Sequence, residues 1–182
     1  MAIFDGNDGF SFDNNFASGF HSHPPGYTVK SPPMPMPKFS TLLVTWRDSE
    51  PQLRAIRTEV FIHEQHVPEV LEWDGEDAYA IHALATDLSG NPIGTGRLLL
   101  HGKLAHLGRM AVLSAWRGQG VGSSLLQCLL DAARQGGASN VFLNAQTTAV
   151  AFYERFNFVR EGAEFLDADI PHYRMTLTPQ KP

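Results

Sequence analysis

Trp116-Arg117-Gly118-Gln119-Gly120-Val121-Gly122-Ser123-Ser124 carries the strongest local signal in the chain. Glycines at 118, 120 and 122 alternate with larger residues. An alternating apolar run, Leu104 to Val112, comes before it, and a helical pattern, Leu125 to Arg134, follows. The order is strand, glycine-rich turn, helix. Such a turn leaves backbone N–H groups unpaired at the start of a helix. Glycines let an anion approach that backbone, and the helix dipole favours negative charge there. A phosphate-bearing ligand is the expectation.

Two common phosphate motifs do not fit. A dinucleotide fingerprint needs G-x-G-x-x-G, and counted from Gly118 its last glycine falls on Ser123. A P-loop closes on Gly-Lys-Ser/Thr, and this stretch has no lysine. What fits is Arg117-x-x-Gly120-x-Gly122, preceded by Met110-Ala111-Val112. This pattern resembles the acetyl-CoA pyrophosphate loop of the GNAT superfamily of N-acetyltransferases, and the likeness runs from Phe39 to Leu177. The resemblance implies acetyl-CoA as acyl donor. Its contacts would come from Met110, Ala111, Val112, Arg117, Gly118, Gln119, Gly120, Val121, Gly122 and Ser123, with Asn144, Ala149 and Phe152 beyond the loop.

Composition narrows the partners. Against 14 Lys and Arg the 182-residue chain sets 19 Asp and Glu, a net charge of −5, which argues against nucleic acid or an anionic membrane. Hydrophobic residues at 43% match an ordinary globular domain with a sizeable core. The one cysteine, Cys128, allows no intrachain disulfide. It falls in the apolar stripe of the helix after the loop and reads as a buried small hydrophobe rather than an acyl carrier. No stretch approaches the roughly 20 apolar residues of a membrane span. The N-terminus, with Asp5 and Asp8, lacks the apolar run of a secretory signal. The expected location is intracellular, in cytoplasm or nucleus.

Residues 1–38 differ in kind from the rest. Gly, Ser, Asn and Pro dominate, and Ser31-Pro32-Pro33-Met34-Pro35-Met36-Pro37 breaks any periodicity, so a disordered or extended tail is expected. Its aromatics, among them Phe10, Phe16 and Tyr27, offer a means of docking on the domain or on a second copy in a homodimer. Residues 39–182 read as one domain. Phe39 to Arg47 reads as a strand, and Pro51 as the first residue of a helix that Val67-Pro68 ends. Three strands follow, Ala78 to Thr86, Ile93 to Leu100 and Leu104 to Val112, joined by short turns into an antiparallel meander. Beyond the loop and its helix, Val141 to Ala145 reads as a buried parallel strand. Thr147 or Thr148 would cap a helix from Ala149 to Phe156, and Phe158 to Ala163 and His172 to Leu177 would close the sheet. The expected class is α/β, a GNAT fold: a mixed sheet flanked by helices, antiparallel at first and parallel at its centre.

Two further segments carry the resemblance. Arg57, Val60, Phe61, Glu64, Gln65, Pro68, Glu72 and Asp74 match the pattern of the ElaA-like and YjcF-like subgroup, as do Gly94 to Leu98 and Gly108 to Val112. In the superfamily the helix and loop over Arg57 to Asp74 line the acceptor side, which implies acceptor contacts from Glu72, Asp74, Arg97 and Asn144. For Arg97 and Arg109, pairing with carboxylates across the sheet is the weightier expectation. Ala149-x-x-Phe152-Tyr153-Glu154-x-x-Asn157-Phe158 resembles the superfamily's Ala-x-x-Phe-Tyr-x-x-x-Gly-Phe. Asn157 stands in place of glycine where a helix ends with positive φ, and asparagine is the best substitute there. Asn144 stands where the subgroup often has histidine, which bears on the acceptor.

The implied reaction is attack by a primary amine of a small molecule or peptide on the acetyl-CoA thioester, without an enzyme-bound acyl intermediate. It needs an acceptor for the amine's proton, stabilisation of the oxyanion and a donor to the departing thiolate. Backbone N–H groups of Met110 to Val112 are the expected oxyanion donors, and the Tyr153 phenol the expected acid. Glu64 is the first candidate base and His172 the second. His63-Glu64-Gln65-His66 is not H-E-x-x-H, and no metal is expected. The rival reading is a module that binds acyl-CoA without turnover.

Overall fold

The computed structural model describes residues 38–177. The tail read over residues 1–38 lies, but for Lys38, outside the described residues. Strand β1 (Phe39–Val44) ends at Thr45, whose hydroxyl accepts from the Asp48 N–H at 3.3 Å and caps helix α1 (Trp46–Arg57). The helix therefore begins five residues before Pro51, and Trp46 and Arg47 belong to it rather than to the strand. Pro51 sits inside α1, where it forgoes one intrahelical bond; the side-chain cap at Thr45 sets the start instead. Leu53, Ile56 and Arg57 form the buried face of α1.

Over Thr58–Glu64 the helix widens into a π-helical turn, closed by the Gln65 N–H on the Val60 carbonyl. A short helix, α2 (Glu69–Glu72), and a 3₁₀ turn, Asp77–Tyr79, lead into the meander β2 (Ile81–Asp87), β3 (Pro92–His101) and β4 (Leu104–Val112). Helix α3 (Val121–Gln135) follows the glycine loop, and then come β5 (Asn140–Gln146), α4 (Val150–Glu154), β6 (Phe158–Asp167) and β7 (Ile170–Leu177). A 3₁₀ turn, Thr147–Ala149, precedes α4, and α4 starts from Ala149 without a side-chain cap, so neither threonine has the expected role. The last hairpin is longer than expected and turns through Ala168 and Asp169, both at positive φ.

One seven-stranded sheet runs β1-β2-β3-β4-β5-β7-β6. All its pairs are antiparallel except β4 with β5 at the centre. Helices α3 and α4 cover one face through the main core of Leu125, Leu129, Tyr153 and Phe158. Helix α1 covers the meander on the other face, through Leu53, Ile56, Val60 and Phe61 against Leu84 and Ala111. Close approach requires Gly96: a Cβ there would lie 2.4 Å from the Met110 sulfur and 2.8 Å from Leu129 Cδ1.

Two irregularities in β4 shape the centre of the sheet. Arg109 has φ 49°, and the register slips so that Thr95 faces Ala111 while Arg97 faces Gly108, which is a bulge of one residue. The extra residue reverses side-chain parity. Ala105 and Leu107 enter the α3-side core before the bulge, and Met110 and Val112 after it, whereas Ala111 packs under α1. The parallel pairing of β4 with β5 also stops at Leu107 and Leu143. Beyond that point β4 stays with β3 and β5 stays with β7, so the two central strands part.

Candidate active site

The parting of β4 and β5 opens a wedge whose two walls are strand edges. On the β4 wall the Leu113 N–H bonds the Ile93 carbonyl at 3.0 Å, which points residue 113 toward β3. Alternation along an antiparallel strand then turns the N–H and C=O of Val112 into the wedge. The Val112 carbonyl is taken by Arg117 Nε at 3.0 Å, and the Val112 N–H faces the opening. The Arg117 guanidinium continues to Glu64 with two parallel bonds of 2.8 and 2.6 Å. Glu64, first in line as base, thus has both carboxylate oxygens engaged by a cation.

The glycine loop lies at the end of this wall. Gly118 and Gly120 take positive φ of 71° and 82°. Gly120 is the N-cap of α3 and offers no side chain to the first turn, which therefore has no side-chain cap. A Cβ at Gly120 would meet nothing within 4 Å. The loop is thus an open, positively polarised helix end beside the wedge. Gln119 folds back on the Ala115 carbonyl at 2.8 Å, and Ser124 ties the first turn to Thr41 at 2.9 Å.

A cavity of about 140 Å³ occupies the wedge and continues to the α1 face of the sheet. Leu107, Met110, Leu143 and Tyr153 line its inner part. Phe61, Gln65, Asn144, Gln146, His172 and the β6–β7 turn line the rest. Tyr153 is 1% exposed, and burial holds its phenol well above the usual range, so it stays protonated. Its ring lies edge-on to Phe152 at 4.9 Å and to Phe158 at 5.8 Å. Ala149 and Phe152 are buried in the core beneath it. His172 Nδ1 lies 2.7 Å from the Ile170 carbonyl. A carbonyl only accepts, so Nδ1 carries the hydrogen and Nε2 of the neutral ring keeps its lone pair. Burial also pulls the His172 pKa down, which favours that neutral form.

Three of the four residues expected to contact an acceptor, Glu72, Asp74 and Arg97, meet in one charge network, and the fourth, Asn144, lines the cavity from β5. Buried Arg57 donates to Glu72 at 2.5 Å and to Asp77 at 2.6 Å. Arg97 holds Asp74 at 2.6 Å and Asp77 at 3.0 Å. Arg109, thrown outward by the bulge, reaches Glu72 at 3.1 Å, Asp74 at 3.0 Å and the Leu71 carbonyl at 3.1 Å. Trp73 and Trp46 flank the Arg57 guanidinium at 4.7 and 5.8 Å. Burial raises the Glu72 pKa against the pull of Arg57 and Arg109. For Asp77 burial opposes the charge too, but the hydrogen bonds and charges of Arg57 and Arg97 outweigh it and hold the carboxyl below its usual range. Asp74 is shifted down in the same sense.

Sequence reasoning missed Gln146 paired with Gln65 at 3.0 Å, and His106, which stacks on Phe142 at 4.5 Å and lines the cavity. The signal for both was strand parity: His106, Asn144 and Gln146 share one face with His172 through the sheet register. Cys128 is partly buried against the core, and burial raises its thiol pKa.

Known proteins resemble this chain in sequence and in fold. A model of the acetyltransferase (GNAT) domain matches residues 46–179. The N-acetyltransferase YjcF of Bacillus subtilis (strain 168) is 41% identical over 121 residues, 66% of this chain and 86% of that protein. A crystal structure of an acyl-CoA N-acyltransferase from Pseudomonas aeruginosa superposes with TM-score 0.69 at 33% identity, over 77% of this chain and 99% of that one. Escherichia coli ElaA shares the fold, with TM-score 0.69 at 23% identity over 77% and 99% of the two chains. With its parted central strands and its glycine loop, this chain belongs to the GNAT acetyltransferase family, and it is an acyltransferase.

Proposed function

We propose that the protein transfers the acetyl group of acetyl-CoA to a primary amine of a small molecule or peptide, by direct attack with both substrates bound. The observation that carries this reading is the wedge, with an anion-binding helix end at one side and a cavity holding Tyr153 and His172 at the other. The names of the Bacillus and Pseudomonas relatives support it. The first turn of α3, with Gly118 and Gly120, would hold the pyrophosphate, and the pantetheine arm would run along the open edge of β4.

The thioester carbonyl then accepts from N–H groups of Met110 to Val112, chiefly Val112, as negative charge builds on its oxygen. The amine enters as an ammonium and gives one proton to His172 Nε2, which passes it to solvent. The nitrogen lone pair forms the C–N bond, and the C–S bond breaks as the adduct collapses. The nitrogen loses its second proton and the sulfur gains one, which balances the reaction. Tyr153, kept protonated by burial, donates its O–H to the departing sulfur. We assign Glu64 to holding Arg117, because both its oxygens are engaged there.

Two catalytic groups facing one cavity favour turnover over a module that only binds acyl-CoA. The test is thiol release from acetyl-CoA over a panel of amines, with calorimetric binding of acetyl-CoA alongside. In Tyr153→Phe, kcat is expected to fall about a hundredfold with acetyl-CoA affinity unchanged. Full activity in that variant would remove Tyr153 from the mechanism, and binding without release from any amine would favour the sensor.

A further inference from the structure

Gly108 is a glycine that neither its backbone nor its packing demands. It sits inside β4, where glycine weakens a strand. Its φ lies outside the left-handed region, and a Cβ added to it would meet nothing within 4 Å. It is also the first residue past the last β4–β5 pair, Leu107 with Leu143, and it lines the cavity. The space a side chain would fill is therefore cavity space, on the face shared by Arg97, His106 and Asn144.

The charges around that space cancel. Of the ionisable side chains lining the cavity, Arg97, Arg109 and Glu72 are locked in the network of three arginines with Glu72, Asp74 and Asp77. Burial, with the charges of Arg97 and Arg109, drops the His106 pKa to about 4, so its ring is neutral near pH 7. His172 is neutral as well. Asp167, at the exposed rim, is the one lining carboxylate that no ion pair holds among the described residues. One carboxylate matches one ammonium, that of the reacting amine itself. The whole cavity, wedge included, measures about 140 Å³, close to the ~150 Å³ that encloses one benzene, so only a compact amine body fits beside the thioester.

We propose that Gly108 is the floor of the acceptor slot, and that the slot selects compact primary amines whose bodies carry no second charge. This rests on the acetyltransferase reading. Phe61 and Leu99 would flank an apolar body, and Asn144 offers it a neutral hydrogen-bonding group. A polycation would bring further charges with no free partner in the cavity wall.

The experiment measures thiol release by the full chain with benzylamine and phenethylamine, against spermidine, an aminoglycoside and a lysine-rich peptide. It is repeated with Gly108→Ala and Gly108→Val. The expected result is turnover of the two arylalkylamines at more than ten times the kcat/KM of the polycations. In Gly108→Val the amine KM rises at least tenfold, with Gly108→Ala between, since one methylene in a pocket is worth roughly 10–200-fold. Acetyl-CoA affinity and Tm hold in both variants, which separates a filled slot from a damaged fold. Preference for a polycation, or an unchanged amine KM in Gly108→Val, overturns the proposal. Acetyl-CoA binding without turnover of either arylalkylamine overturns the slot chemistry alone, whereas failure to bind acetyl-CoA overturns the acetyltransferase reading with it.

Discussion

His172 shows how a single hydrogen bond fixes a tautomer. The Ile170 carbonyl takes the Nδ1 hydrogen, and the basic lone pair is left on Nε2. Because burial lowers its pKa below the ordinary value near 6.5, the free base persists to lower pH, and in the proposed mechanism the rate falls as pH drops through that lowered value. The kcat–pH profile should therefore show an acid limb with its midpoint below 6.5. His172→Gln should lose that limb and fall about a hundredfold in kcat, measured with saturating amine. Asn157 is a residue the chain's own pattern made legible: it turns the chain between α4 and β6 at φ 63°, where the family has glycine. Asn157→Gly should change stability by less than about 0.5 kcal/mol, and Asn157→Ala should cost about 1 kcal/mol, read by denaturant unfolding. The sequence pattern singles out Glu64 and Glu72 but not their partners. Their arginines come from 53 and 15 residues away, and only the packed structure pairs them.

At the scale of elements, the π-helical turn matters most. At its C-terminal end Glu64 and its cap residue Gln65 reach the two walls of the wedge. Glu64 bonds Arg117, which also holds the Val112 carbonyl at the end of β4, and Gln65 bonds Gln146 at the end of β5. The turn thus braces the two strands where they part. Lysine cannot form the bidentate pair and the third bond together. Arg117→Lys should raise the KM for acetyl-CoA about tenfold, the loss of roughly 1.4 kcal/mol, in steady-state assays with Tm followed in parallel. An apolar periodicity of 3.6 announces the helix from Leu53 onward, but it carries no mark of the extra residue per turn. The Arg109 bulge is equally silent in sequence, because a bulge is a property of two strands in register.

For the molecule as a whole, the buried network couples stability to pH. Asp77 has a lowered pKa in the fold, so its stabilisation is fully present above the unfolded value near 3.9 and is lost as pH falls through the folded value. Asp77→Asn leaves Arg57 and Arg97 short of a partner and should cost about 3 kcal/mol at pH 7. Below pH 4 the variant should lose stability less steeply than the parent, by up to ~1.4 kcal/mol per pH unit, so that the two curves converge in acid unfolding followed by circular dichroism. Parallel curves down to pH 2 would remove Asp77 from the acid response. The same network joins α1, the Glu72–Asp77 segment, β3 and β4, so its loss should also loosen the acceptor side of the cavity.

The order of elements, the glycine loop before α3 and the glycine-replacing Asn157 could be read from the sequence, as could six of the residues that line the cavity: Glu72, Arg97, Met110, Asn144, Tyr153 and His172. These are local matters, set by periodicity, backbone conformation and residue type over a few positions. Packing alone settles where β4 leaves β5, which way Val112 turns, and which carboxylates Arg97 and Arg109 meet. Each of these depends on register and packing between segments far apart in the chain, and pairing between distant charges leaves no trace in the spacing of either partner.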